Sequence, residues 1–304
     1  MSGGGRNPSP GRAVLRRVPL TPSHSPHALR LRHRLGGYRE FLPPAVLGTA
    51  VESVWTHLTG PDAGPEAAHR VLPDPALSLA FACRREPDGR TIDPRMLLIG
   101  PKSRPFLFCP PAGSQLVAVR LKLEWVEPLL DLAPAEHLDS QPDLASVLPS
   151  FAAAALPRLE ATGTPAHAVV VLVEALRRWV GTEPRHRPGP EGMALDLLRA
   201  LNGRSGVDAV AGRIGASTRH LRRTVRRRAG VSLKGYARTL RFLAAVTDAD
   251  RAEVPQWARI AADAGFCDQS HLVRESQSLC GMAPAAVDRE RRAEAEMSNR
   301  RRAS

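Results

Sequence analysis

Two short stretches carry side chains whose types and spacing suit chemistry, and that chemistry is anion recognition rather than bond making. In the first, Arg219, Arg222, Arg223 and Arg226 fall at i, i+3, i+4 and i+7. On a helix they form one cationic stripe, with Leu221 and Val225 on the opposite side. No carboxylate occurs between residues 218 and 231 to neutralise it. A guanidinium fork donates bidentately to O6 and N7 of guanine and to phosphate oxygens. In the second, His271-Leu272-Val273-Arg274 matches His220-Leu221-Arg222-Arg223, with Gln269 and Ser270 just ahead of it. A solvated charged face is the plain alternative for any basic helix. Such faces usually mix both signs for i, i+4 pairing, and this stripe does not.

The elements that must position these side chains are written twice. Val207, Val210, Ala211 and Ile214 give one apolar helical face, then come Gly215, a turn ending in Ser217, and the arginine run. Trp257, Ile260, Ala261 and Ala264 repeat the spacing, followed by Gly265 and a turn ending in Asp268. Ser217 and Asp268 suit the N-cap of a second helix, and Gly230 and Gly281 suit its end. The pattern predicts a helix-turn-helix, twice, and the second helix of such a unit enters the major groove.

These residues resemble the DNA-binding region of the AraC/XylS family of bacterial transcription regulators. The resemblance covers residues 207–284. It rests above all on Trp257-Ala-Arg-Ile-Ala-Ala-Asp-Ala-Gly-Phe266, Asp268-Gln-Ser-His-Leu272, Arg274 and Gly281-Met-Ala-Pro284. It implies two units joined by a linker helix over residues 233–247, with Tyr236, Leu240 and Leu243 on one face. It further implies base reading by Arg219, Arg222 and Arg223 in the first unit and by Gln269, Ser270 and Arg274 in the second. The family commonly has phenylalanine where this chain has Val225 and Ser276. Loss of a buried ring at Ser276 costs on the order of a few kcal/mol if nothing refills the space, so a looser second unit is expected.

Length and charge frame this reading. The chain of 304 residues allows two domains plus tails, and a net charge of +13 with 43% apolar residues points to packed cores and an anionic partner. Nucleic acid and a membrane surface both fit that charge. Cys83, Cys109, Cys267 and Cys280 form no C-x-x-C pair, so neither a disulfide framework nor a thiolate metal site is signalled. Arg16 and Arg17 are followed by no apolar export segment, which points to the cytoplasm. His24, His27 and His33 lack the rigid frame a metal needs. No cofactor or metal is expected, and no nucleophile elbow, H-E-x-x-H or phosphate-binding glycine loop supports an enzyme.

The fold class expected is α+β, with a mostly β amino-terminal domain and following helices ahead of an all-α double helix-turn-helix. Residues 1–37 read as a disordered basic arm and residues 38–181 as a regulatory and dimerisation domain. Strands are expected at residues 77–82, 96–99, 106–108 and 116–121, and a helix at residues 125–132. Arg70-Val-Leu-Pro-Asp74 and Gly100-Pro-Lys-Ser-Arg-Pro105 resemble amino-terminal domains of one branch of AraC-like regulators. A pocket lined by Trp55, Phe81, Phe106 and Phe108 would suit a small ligand, with Arg70, Lys102 or Arg104 for an anionic group. For any single ring, a plain place in the core is the favoured explanation. The apolar helix at residues 165–180 either packs within this domain or pairs with its copy in a homodimer. Residues 182–192 read as a linker, 193–288 as the DNA-binding domain and 289–304 as a solvated basic tail.

The function expected is that of a sequence-specific DNA-binding transcription regulator. Phosphate contacts are expected from Arg213, Arg226, Arg227, Arg228, Lys234 and Arg238. Further expected partners are a small-molecule effector, a second copy of the chain, and RNA polymerase for an activator; no membrane partner is expected. The alternatives are a nonspecific polyanion binder and a ligand-binding module with vestigial DNA contact.

Overall fold

The computed structural model describes residues 37–60, 69–86, 88–181 and 188–303. The basic arm, with its arginine pair and three histidines, and residues 182–187 of the linker lie outside the described residues. The amino-terminal half holds β1 (Arg39–Phe41), a 3-10 turn (Ala45–Leu47), β2 (Val51–Leu58), β3 (His69–Val71), β4 (Leu77–Arg85), β5 (Thr91–Ile99), β6 (Phe106–Phe108) and β7 (Ser114–Leu121). Among the described residues, one antiparallel sheet has the order β1-β2-β7-β4-β5, and β3 pairs with β6 as a separate ribbon.

Strand alternation gives the large sheet two different faces. Val54, Leu79, Phe81, Met96, Leu98, Val117 and Val119 pack into the main core with the helices that follow. Trp55, Ala80 and Ala118, flanked by Leu97, Ile99 and Leu116, point the other way. Strands β1 and β2 were not expected from the sequence. In Val-Glu-Ser-Val-Trp-Thr-His-Leu the polar residues are buried beside the apolar ones, so the polar-out alternation that marks a half-exposed strand is missing.

Helices α1 (Leu123–Leu130), α2 (Leu144–Val147), α3 (Pro149–Glu160) and α4 (Pro165–Val180) complete this half. Helix α4 starts behind the cap Thr164, whose hydroxyl accepts from the His167 N–H, with Pro165 in its first turn. It buries Val169, Leu172, Val173 and Leu176 in the main core, the intradomain one of its two readings. Trp179 at its end stacks edge-on against Phe151 and donates to the Leu129 carbonyl at 3.2 Å.

The carboxy-terminal half is helical throughout: α5 (Pro190–Ala200), α6 (Val207–Arg213), α7 (Thr218–Ala229), α8 (Leu233–Arg251), α9 (Trp257–Asp263), α10 (Gln269–Cys280) and α11 (Pro284–Ala303). Helix α5 begins inside the expected linker, at Pro190, and α11 continues through the expected tail. The start of that tail is not a solvated helix. Arg291 is buried and pairs with Asp250 of α8 at 2.7 Å. The two halves share a core, since Val210, Leu221, Val225, Tyr236 and Leu240 join the cluster that holds the sheet.

Near the end of the central strand β7, Arg120 is buried between Asp74, at 3.1 Å, and Glu40, at 3.7 Å. Burial pushes the Glu40 carboxyl up to about 7, against the pull of Arg120. An unfolded glutamate titrates near about 4.3, so across the interval up to about 7 the folded state holds more protons than the unfolded one. The stability contributed by this group is therefore full below that interval and falls as pH rises through it. Urea unfolding at a series of pH values should show wild type losing stability relative to Glu40→Gln between about pH 4.3 and 7. Parallel profiles for the two proteins would remove Glu40 from the account.

Candidate functional site

The duplicated pattern folds into duplicated geometry. Ser217 Oγ accepts from the His220 N–H at 3.2 Å to start α7, and Asp268 Oδ1 accepts from the His271 N–H at 2.6 Å to start α10. Both helices end on a left-handed glycine, Gly230 at φ 72° and Gly281 at φ 73°, a conformation that a Cβ would strain. Leu221 and Val225 of α7, and Leu272 and Ser276 of α10, face inward. Arg219, Arg222, Arg223 and Arg226 are exposed on the outer side of α7, and Gln269, Ser270 and Arg274 are exposed on α10.

Among the described residues, Arg219, Arg222, Arg226 and Arg274 join no ion pair. Arg223 Nη2 lies 3.4 Å from His220 Nδ1. Arg213, Arg227 and Lys234 are exposed as well. Unlike these, two expected phosphate contacts are turned inward. Arg228 is buried, and its Nη2 lies 2.8 Å from Glu127 Oε2 of α1. Its position in the sequence signals this, because Leu221, Val225 and Arg228 fall at i, i+4 and i+7 on the inner face of α7. Arg238 of α8 pairs with Glu275 of α10 and donates to Ser278 Oγ at 2.9 Å. Its partners lie far along the chain, so no local pattern reveals it.

Two positioning residues carry no signal in the sequence. Arg204 donates from Nη1 to the Asp263 carbonyl at 3.0 Å. Arg241 of α8 donates to the Gly265 carbonyl at 3.2 Å and lies 5.4 Å from the centre of the Phe266 ring. Together with Arg238 they hold the turn and α10 of the second unit in place.

Ser276 does not leave the expected gap. It is fully buried, and its Oγ donates to the Met282 carbonyl at 2.6 Å and lies 3.6 Å from Cys280 Sγ. A hydrogen-bonded knot replaces the ring, and Leu272, Phe266 and Cys280 stay in a closed core.

A cavity of about 540 Å³ lies between the outer face of the large sheet and the β3–β6 ribbon. Trp55, Phe106, Phe108 and Lys102 line it as expected. Phe81 does not, because its parity on β4 turns it into the helical core. Arg70 is turned away to α11, where its Nε donates to Glu290 Oε2 at 2.9 Å. Arg104 is exposed, 3.9 Å from Asp139. The sequence reading missed His57 and Arg120, both buried on the cavity wall. Among the described residues no group of three His, Cys, Asp or Glu side chains is placed to hold a metal. No helix among them is long and apolar enough to cross a membrane.

The model of a helix-turn-helix domain matches residues 210–290. That of a domain of unknown function, DUF6597, matches residues 39–143. No curated protein matches the chain at a significant level. Among solved structures, the chain is similar to ToxT from Vibrio cholerae. One structure of it, at 1.65 Å, is 11% identical and aligns over 78% of this chain and 97% of that one with a TM-score of 0.41. The structure of unsaturated fatty acid bound ToxT is 13% identical over 73% and 89%, with a TM-score of 0.38.

The knot at Ser276 is directly testable. Ser276→Ala leaves the part-buried Met282 carbonyl with only the long contact from Cys280 Sγ at 3.8 Å, which should cost about 1 kcal/mol in urea unfolding. A variant as stable as wild type would mean that the hydroxyl is not what closes this core.

Proposed function

We propose, for a chain that carries an AraC-type helix-turn-helix domain, a sequence-specific DNA-binding transcription regulator that reads the duplex with α7 and α10. The observation that carries this reading is the cationic stripe on α7. Its arginines stand outward on the second helix of a helix-turn-helix while the opposite face is locked into the core. Arg219, Arg222 and Arg223, with Gln269, Ser270 and Arg274, supply base choice. Arg213, Arg226, Arg227 and Lys234 supply salt-sensitive phosphate affinity. Helix α8 fixes the spacing, so that the two reading helices enter successive major-groove segments about 34 Å apart on one side of the duplex.

In this reading, residues 38–181 are the regulatory domain, 193–288 the DNA-binding domain, and a small effector occupies the β-domain cavity. The protein acts on DNA in the cytoplasm without catalysing a reaction. It contacts RNA polymerase where it activates, and a second copy of the chain provides dimerisation. A nonspecific polyanion binder would share the steep salt dependence but prefer no sequence.

Selection from random duplexes with the purified chain separates the two. Wild type should enrich a defined site. Arg222→Ala should lose about 1 to 3 kcal/mol and relax one base position, whereas Lys234→Ala should lower the salt slope by about 1 with the site unchanged. Recovery of unenriched DNA by wild type would leave the polyanion reading standing. An identical site and affinity for Arg222→Ala would take the base contact away from that residue.

A further inference from the structure

The wall of the β-domain cavity carries a buried cation that no carboxylate among the described residues pairs. Lys102 is buried at 8% exposure on its wall, yet among the described residues its ammonium joins no ion pair. Nζ donates to the Ser140 carbonyl at 2.9 Å and lies 5.5 Å from the centre of the Phe106 ring, another wall residue. Burial holds its pKa below the ordinary lysine value, with Asp139 pulling the other way. By contrast, the neighbouring cation, Arg120, has Asp74 and Glu40 around it. Much of the remaining wall is apolar, including Trp55, Leu97, Ile99 and Phe108. A buried charge without a counter-charge is costly, and an anion with an apolar body would satisfy both parts of this wall.

The same cavity is roofed by a segment that also touches the DNA-binding half. Arg70 and Val71 are neighbours on β3, so their side chains face opposite ways, and the chain leaves regular strand geometry at Leu72 before the bridge at Asp74. Val71 and Asp74 line the cavity. Asp74 is anchored there by two backbone hydrogen bonds with Lys102, at 2.7 and 3.0 Å, and by its ion pair with Arg120. Arg70 and Leu72 face outward. Arg70 pairs with Glu290 of α11, and Leu72, at 2% exposure, belongs to the core of the second helix-turn-helix unit with Phe242, Phe266 and Leu272. Lys102 is thus tied by its backbone to a strap whose other face is part of that unit.

We propose that the cavity takes a small anion with an apolar body, its charge resting on Lys102 Nζ, and that the strap from Arg70 to Asp74 passes its presence to the second helix-turn-helix unit. The proposal rests on the effector part of the proposed function and not on the base contacts, which the duplex selection tests separately.

Two fluorescent probes differing in charge test the site on the full chain: 1-anilinonaphthalene-8-sulfonate, an apolar anion, and N-phenyl-1-naphthylamine, its neutral counterpart. Both should bind with energy transfer from Trp55 that falls in Trp55→Phe. Lys102→Met should weaken the anion about tenfold, the scale of a lost charge-assisted hydrogen bond, and leave the neutral probe within about twofold. Equal effects on both probes, no effect on either, energy transfer indifferent to Trp55, or no binding by wild type would each overturn the site. Amide hydrogen exchange with and without bound anion tests the strap. Exchange in α9, α10 and the start of α11 should change on binding in wild type and stay unchanged in Leu72→Ala and in the milder Arg70→Gln, with anion affinity retained. Absence of a change in wild type, or an equal change in Arg70→Gln, would overturn the coupling while leaving the site intact.

Discussion

Helix α8 is the constraint on which the rest depends, because it packs into two cores at once. Tyr236 and Leu240 belong to the core that contains the β-sheet and the first helix-turn-helix. Phe242, Leu243, Ala245, Val246 and Ala249 belong to the core of the second. Each large side chain buried in this way contributes about 1.5–3 kcal/mol, so either unit can shift relative to α8 only by exposing apolar surface. A helix rises about 1.5 Å per residue, which makes α8 a fixed rule between α7 and α10. Its buried threonines are accommodated by bonding back along the helix: Thr239 and Thr247 donate to the carbonyls of Gly235 and Leu243 at 3.1 and 2.9 Å.

Around this spine the arginines divide by direction. Those that face inward or toward another element find carboxylates or carbonyls: Arg228 finds Glu127, Arg238 finds Glu275, Arg291 finds Asp250, and Arg199 finds the buried Glu124 of α1. Arg219, Arg222 and Arg226, on the outer side of α7, join no ion pair among the described residues. An exposed cation costs little to leave in water, whereas a buried one must be paired. The same residue type therefore serves as glue between elements and as an outward cationic surface, and burial decides which. One result is that the amino-terminal domain holds both units, the first through Arg228 and the second through Arg70.

The β-domain shows the same economy in its sheet. One face is apolar and packs on α3 and α4. The other keeps Trp55, His57, Gln115 and Arg120 beside a cavity, with His57 set edge-on to Phe108 of the ribbon at 5.6 Å. A polar, aromatic face turned to enclosed space suits ligand recognition, and a solid apolar face suits stability.

The sequence by itself determined the two helix-turn-helix units down to their caps, since Ser217, Asp268, Gly230 and Gly281 act within a few residues of their own helices and the apolar faces recur with the helical period. It also determined the outward stripe on α7 and several strands of the sheet. Only the tertiary structure decided that Arg228 and Arg238 are inward ties, that Ser276 is satisfied by the Met282 carbonyl, that Phe81 is core while Trp55 faces a cavity, and that β2 exists. The physical reason is range. Caps and periodicity are set by neighbours along the chain, but an ion pair, a strand's register and the side of a sheet that meets empty space are set by partners that only folding brings together.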